Sequence, residues 1–260
     1  MKRKCLVIGI ILLFIGVSLS PAISAESIPE ISTLNRSIEK TPVRLWCYEY
    51  KPDGIIEKTT IVLPRSVHRE MTQTLSLTTS MEEKLAVYQR YGIIPSNVTI
   101  QGMKKNFDQY LTMKNIDVSE IHRYVNLPQK IFGFVLNLNC KINVMGRLGI
   151  HLNLGMSAIT QFLNFIAICL WNGSGSPSFI QGGDLCDFFC SIMGDIDVSE
   201  GIFQDYTSTL TPMILIMFGF VGYFIVDLPL PVFHNGAEYL GYTAFIFATG
   251  LRYGPEYLTS

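Results

Sequence analysis

From Phe132 to Val144 the chain alternates without a break. Phe132, Phe134, Leu136, Leu138, Cys140, Ile142 and Val144 take one set of positions; Gly133, Val135, Asn137, Asn139, Lys141, Asn143 and Met145 take the other. A period of two sends successive side chains to opposite faces of a strand, whereas a helix would scatter the asparagines all round its surface. The segment is therefore expected as a strand, with Phe134, Leu136, Leu138 and Ile142 in a core and Asn137, Asn139 and Asn143 toward water or a polar lumen. Gly146-Arg147 is expected to turn the chain, because Leu148, Ile150, Leu152 and Leu154 then alternate again with Gly149, His151, Asn153 and Gly155. The result would be an antiparallel strand pair.

Beyond Gly155 the chain keeps this apolar character. Residues 156–171 read as a buried helix interrupted by Thr160, Gln161 and Asn164, with a Gly/Ser/Pro loop from Asn172 to Gly183 after it. Two late apolar runs, Pro212 to Val226 and Tyr239 to Leu251, are rich in aromatics and punctuated by Gly219, Gly222, Gly241 and Gly250. Both fall short of the roughly 20 residues a membrane helix needs, and strands buried on both faces suit them better. The alternative is an integral membrane protein with spans in 156–171 and 209–231.

Charge divides the chain near Pro128. Residues 1–130 hold 17 Lys/Arg and 12 Asp/Glu, which leaves 3 and 9 of the total 20 and 21 for residues 131–260. Two domains are expected on that basis, 42–127 and an apolar, acidic, β-rich domain 128–260. A net charge of −1 gives no electrostatic footprint for a nucleic-acid partner.

The first of these domains opens on a hairpin. Val43 to Tyr50 places Val43, Leu45 and Cys47 on one face, Lys51-Pro-Asp-Gly54 carries type I turn residues, and Ile55 to Leu63 is rich in β-branched side chains. Helical signals come after Pro64. Ser80-Met-Glu-Glu83 is a capping box heading the stripe Met81, Leu85 and Tyr88, which Gly92 stops. Ile100, Met103, Phe107, Tyr110 and Leu111 form a second stripe. Both stripes are expected to pack against the hairpin. The fold class is thus α+β: an N-terminal hairpin plus helices, then a Gly/aromatic-rich antiparallel β domain with a buried helix.

Residues 1–25 read as a signal peptide. Lys2-Arg-Lys4 precedes the apolar run Cys5 to Val17, and Ser18 to Ala25 is small and polar with Pro21 near its middle. Cleavage is expected after Ala22, Ser24 or Ala25, with 26–41 a flexible leader. The mature chain would then act outside the cytoplasm, secreted or in the cell envelope, with membrane or envelope components as its partners. Tyr50-Lys-Pro-Asp-Gly54, Val62-Leu-Pro64, Ser80-Met-Glu-Glu-Lys-Leu85 and Tyr91-Gly-Ile-Ile-Pro95 resemble a pattern in uncharacterised exported archaeal proteins, over residues 1–115. That resemblance implies export and carries no activity.

Chemistry is sparse. The chain has no Gly-x-Ser-x-Gly elbow, His-Glu-x-x-His, phosphate loop or dinucleotide fingerprint, so no cofactor and no catalytic residue are assigned. His68, His122, His151 and His234 lie far apart. Cys186 and Cys190 would share one face of a helix and could be buried, bridged as a disulfide, or chelating; without two further soft ligands they make a poor zinc site. Asp195, Asp197 and Glu200 are spaced usably for Ca²⁺ but lack the ligand ladder of an EF-hand, so a solvated acidic turn is the plainer reading. Asn35, Asn97 and Asn172 head glycosylation sequons. The function expected is a non-enzymatic interaction or structural module, with an extracytoplasmic hydrolase assembled across both halves as the alternative.

Overall fold

The computed structural model describes residues 42–115, 134–154, 186–203, 205–227 and 233–252. The expected signal segment, the leader, the buried helix at 156–171 and the loop after it lie outside these residues. The elements in chain order are β1 (Val43–Tyr50), β2 (Ile56–Leu63), α1 (Arg65–Leu77), α2 (Met81–Arg90), α3 (Ile100–Met113), β3 (Phe134–Leu154), β4 (Cys186–Ser199), β5 (Tyr206–Asp227) and β6 (Phe233–Arg252). The class is α+β, with three helices against one antiparallel sheet of six strands among the described residues.

The hairpin forms as its sequence dictates. Lys51 C=O accepts from Gly54 N–H, Gly54 sits at φ +85°, and Lys51 N–H donates to Ile55 C=O. This is a type I turn closed by a left-handed glycine. Ser80 caps α2, its hydroxyl accepting from Glu83 N–H while the Glu83 side chain accepts from the Ser80 N–H. Thr99 caps α3 by accepting from Gly102 N–H.

Strands β3 to β6 pair in sequence order, and β6 returns to pair with β3, so the four close on themselves. A path from Thr249 across Ile214, Cys190 and Ile150 re-enters β6 at Phe233, sixteen residues from its start. So large a stagger requires strongly inclined, coiled strands, which explains their 14 to 22 residues. β4 pairs with β5 from Tyr206 to Phe218, and β1 takes over the same edge from Gly222 to Asp227. The segments expected as two domains therefore share one sheet.

Two cores result. Val43, Leu45, Cys47 and Leu63 of the hairpin meet Met81, Leu85, Tyr88, Met103, Phe107 and Leu111 of the helices, together with Val221, Tyr223, Leu240 and Tyr242. The helical stripes thus pack as expected, and onto β5 and β6 as well. Apart from Val43, which is partly buried, each of these side chains contributes up to about 1.5–3 kcal/mol, so apolar contact holds the helical layer down. The second core, on the other face, holds Ile142, Val144, Phe189, Met213, Leu215, Phe224 and Tyr239.

The structure corrects several expectations. Gly146-Arg147 is not a turn: β3 runs through it, Gly146 pairing with Gly194 on one side and Ala237 on the other. A Cβ at 146 would lie 2.2 Å from the Phe189 ring, so the glycine makes room rather than bends the chain. Two of the three asparagines on the other face are not in water either. Asn137 and Asn143 are buried, because a loop at Gly201–Phe203 covers the first and helix α2 the second. The expected span 209–231 is strand as far as Asp227. Among the described residues no helix is long and apolar enough to cross a membrane, which is a statement about helices and not about strands.

Candidate functional site

The in-out alternation of β5 changes phase at Gly219. Met213, Leu215 and Met217 lie in the second core, and beyond the glycine Phe220, Phe224 and Val226 do. Gly219 has φ +63°, and a Cβ there would sit 2.6 Å from the Tyr110 hydroxyl. This half-step, a bulge in effect, lets α3 lie across the bend and opens a cleft on either side of Tyr50.

One cleft, of about 220 Å³, lies between the hairpin turn and the end of α3, with Tyr110 and Lys114 on one wall and Asp187, Gly219 and Phe220 below. The other, of about 390 Å³, runs along the start of α3 past Thr99, Asn106 and Gln109, above Glu49 and Tyr223. Tyr50 lines both. Its hydroxyl donates to Asp187 Oδ1 at 3.0 Å, and its ring meets Phe220 edge to face at 5.1 Å. Burial, reinforced by the Glu49 charge and a hydrogen bond to Glu49, raises the Tyr223 hydroxyl above its ordinary range, so it is a donor at neutral pH. Asn106 and Gln109 stand exposed on α3, three residues apart and so on one flank.

A second polar assembly lies beneath α2. Lys84 Nζ is 2.7 Å from Glu238 Oε1 and donates to Asn143 Oδ1 at 2.9 Å, while Tyr88 donates its hydroxyl to Glu238 Oε2. Lys84 and Glu238 are 5% and 3% exposed, so the charges face each other rather than a ligand. Burial, then the Glu238 charge, holds the Tyr88 hydroxyl well above its usual range. Around this pair Lys141 meets Glu82 at 2.7 Å and Glu200 at 3.7 Å, and Lys104 meets Glu200 at 3.0 Å. Helices α2 and α3 are tied to the sheet and the loop after β4 this way, while on α1 His68 Nε2 lies 3.7 Å from Asp227 Oδ2. Burial lowers His68 and raises Asp227, which favours the neutral form of each.

The residues singled out from sequence do not converge. Asp195 Oδ1 accepts from the Thr209 hydroxyl and Asp197 Oδ1 from Thr207, across the β4–β5 ladder, whereas Glu200 turns to Lys104, Lys141 and Tyr242. Among the described residues no three His, Cys, Asp or Glu are grouped to hold a metal ion. Cys186 and Cys190 stand on strand β4 rather than a helix. Four residues of strand separate their α-carbons by about 13 Å, beyond the reach of a disulfide, and Cys190 is a free thiol. Asn97 is exposed in the turn before α3, at the mouth of the larger cleft; Asn35 and Asn172 lie outside the described residues. His151 and His234 stand on β3 and β6, and His122 lies outside the described residues.

The groove residues Glu49, Asn106, Gln109 and Asp187 escape sequence reasoning, since a sheet bend gathers them from three separate segments. Lys84 does leave a signal, a lone cation inside the stripe Met81, Leu85 and Tyr88. The chain matches no protein-family model, and comparisons with curated proteins and with solved structures return no significant match.

Proposed function

We propose that this protein is an exported component of the cell envelope or extracellular space, acting as a non-enzymatic binding module. Two things support the reading. The N-terminal sequence has the charge, apolar core and small-residue end of a secretory signal. The bend of β5 and the crossing of α3 build a two-part polar groove around Tyr50, and this groove is the observation that carries the module's role. Several of its polar groups are held by neighbours, such as Lys51 by Glu57 and Asp187 by the Tyr50 hydroxyl. That arrangement suits recognition, where donors and acceptors are fixed in advance.

Fractionation of the native cells tests the reading. The protein is expected in the envelope or the medium, and to be degraded when intact cells are treated with protease. A protease-protected protein in the cytosolic fraction would overturn it.

A further inference from the structure

We infer that Asn97, in the turn between α2 and α3, is glycosylated on its side-chain amide; this rests on the export reading and gives the exported protein a modification site. Asn97-Val98-Thr99 is an Asn-x-Thr triplet with no proline in its middle place, the acceptor pattern of secreted proteins. The co-reactant is an oligosaccharide activated as a lipid phosphate ester in the compartment that export reaches. Asn97 Nδ2 forms a bond to C1 of the sugar while the bond from C1 to the phosphate oxygen breaks. The lipid phosphate leaves with the electron pair, and the amide gives up one proton to solvent.

Such triplets also arise by chance, and what distinguishes this one is its setting. An asparagine in a turn ordinarily has one of two local duties: it takes a left-handed backbone, or its side chain bonds a nearby backbone group. Asn97 does neither. Among the described residues the non-glycine positions with positive φ are Asn115, Asn139 and Glu200. The turn is closed by Val98 N–H donating to Pro95 C=O, and Gln89 Nε2 braces it by donating to the carbonyls of Pro95 and Val98 at 3.0 and 2.8 Å. None of these bonds uses the Asn97 amide, which stands exposed. Asn137 and Asn143, by contrast, are buried and hydrogen-bonded. Thr99 is exposed too, and it has a duty of its own: its hydroxyl oxygen accepts from Gly102 N–H at 3.0 Å as the cap of α3. Accepting leaves the Thr99 O–H free to donate. The folded chain thus presents both side chains of the triplet on a braced turn, and a glycan on Nδ2 displaces neither a core side chain nor a bond of that turn.

The test is mass spectrometry of the protein purified from its own cells. Trypsin cuts after Arg90 and Lys104, and the peptide 91–104 holds Asn97 as its one asparagine. That peptide is expected to carry added sugar mass, which fragmentation localises to Asn97. The added mass should be lost in Asn97→Gln expressed in the same cells and kept in Thr99→Ser, which retains both the hydroxyl of the pattern and the cap of α3. Made in a host that lacks the transferring enzyme, Asn97→Gln should melt at the wild-type temperature, since the amide has no partner to lose. A lowered melting temperature there would give Asn97 a structural duty and overturn the inference. So would a peptide 91–104 found only unmodified, or a glycan localised to Ser96 or Thr99 instead. Fractionating the same cells separates the two levels: an exported protein with a bare Asn97 contradicts the glycan alone, and a cytosolic one contradicts export as well.

Discussion

Lys84 of α2 and Glu238 of β6 meet at 2.7 Å in the core between helices and sheet, both almost wholly removed from water. Desolvating two charges costs several kcal/mol each, and their attraction with the added hydrogen bonds of Asn143 and Tyr88 offsets that cost. The pair fixes where α2 sits more than it adds stability.

A consequence is an asymmetry between breaking the pair and replacing it. Lys84→Met alone strands the Glu238 carboxylate and should cost about 3–5 kcal/mol, whereas Lys84→Met with Glu238→Leu should recover most of that loss. Urea unfolding of the wild type, both single variants and the double variant measures this. A double variant no more stable than the singles would contradict it.

Asn137 has a different role. Its Oδ1 accepts from Leu138 N–H and Phe203 N–H, anchoring the loop after β4. Asn137→Ala should cost about 1–3 kcal/mol by leaving a buried donor unpaired. Asn139→Gly, at a partly buried position with φ +51° that glycine adopts freely, should cost well under that. Equal losses on chemical denaturation would show that the loop does not depend on Asn137.

These asparagines show what the sequence can and cannot reveal. Alternation at 134–145 is a local property, and the strand it announces is there. Which face of that strand meets water depends on what folds over it, and the cover comes from Thr79 and Lys84 of the helical layer and from Phe203. Likewise the capping box of Ser80 and Glu83 and the turn at Gly54 involve neighbours within a few residues and are legible. Gly146 reads as a turn because nothing nearby in the chain discloses that Phe189 fills its place. The groove is illegible for the same reason, since Glu49, Asn106 and Asp187 become neighbours only after β5 bends at Gly219.

The hairpin turn gives a sharper pair of substitutions. Gly54→Val should cost about 1 kcal/mol or more from backbone strain alone, because φ is +85° and nothing lies within 4 Å to clash. Asp53 Oδ1 accepts from the exposed Ile55 N–H, so Asp53→Ala should cost less, up to about 1 kcal/mol. Thermal melts of the full chain distinguish them, and equal tolerance would mean that the turn strain is relieved elsewhere.

Acid should loosen the outer ionic ties first. The hydrogen bond from Lys141 holds the Glu82 carboxyl below its ordinary range. Burial pushes Glu200 up, but the hydrogen bond and charge of Lys104, with the charge of Lys141, outweigh it and leave Glu200 lowered too. A depressed folded value contributes stability that is complete above the unfolded value of about 4.3 and is lost as pH falls through the folded one. The urea midpoint should therefore drop below about pH 4, and Lys141→Met should flatten that drop. An unchanged acid limb in the variant would remove Lys141 from the account.

Export is the premise on which the binding reading stands, and the N-terminus of the native protein tests it most directly. Edman sequencing or intact mass of protein purified from its own cells should give a start between residues 23 and 26, since Ala22, Ser24 and Ala25 supply the small side chains a signal peptidase requires. A native chain beginning at Met1 and recovered from the cytosol would contradict the account.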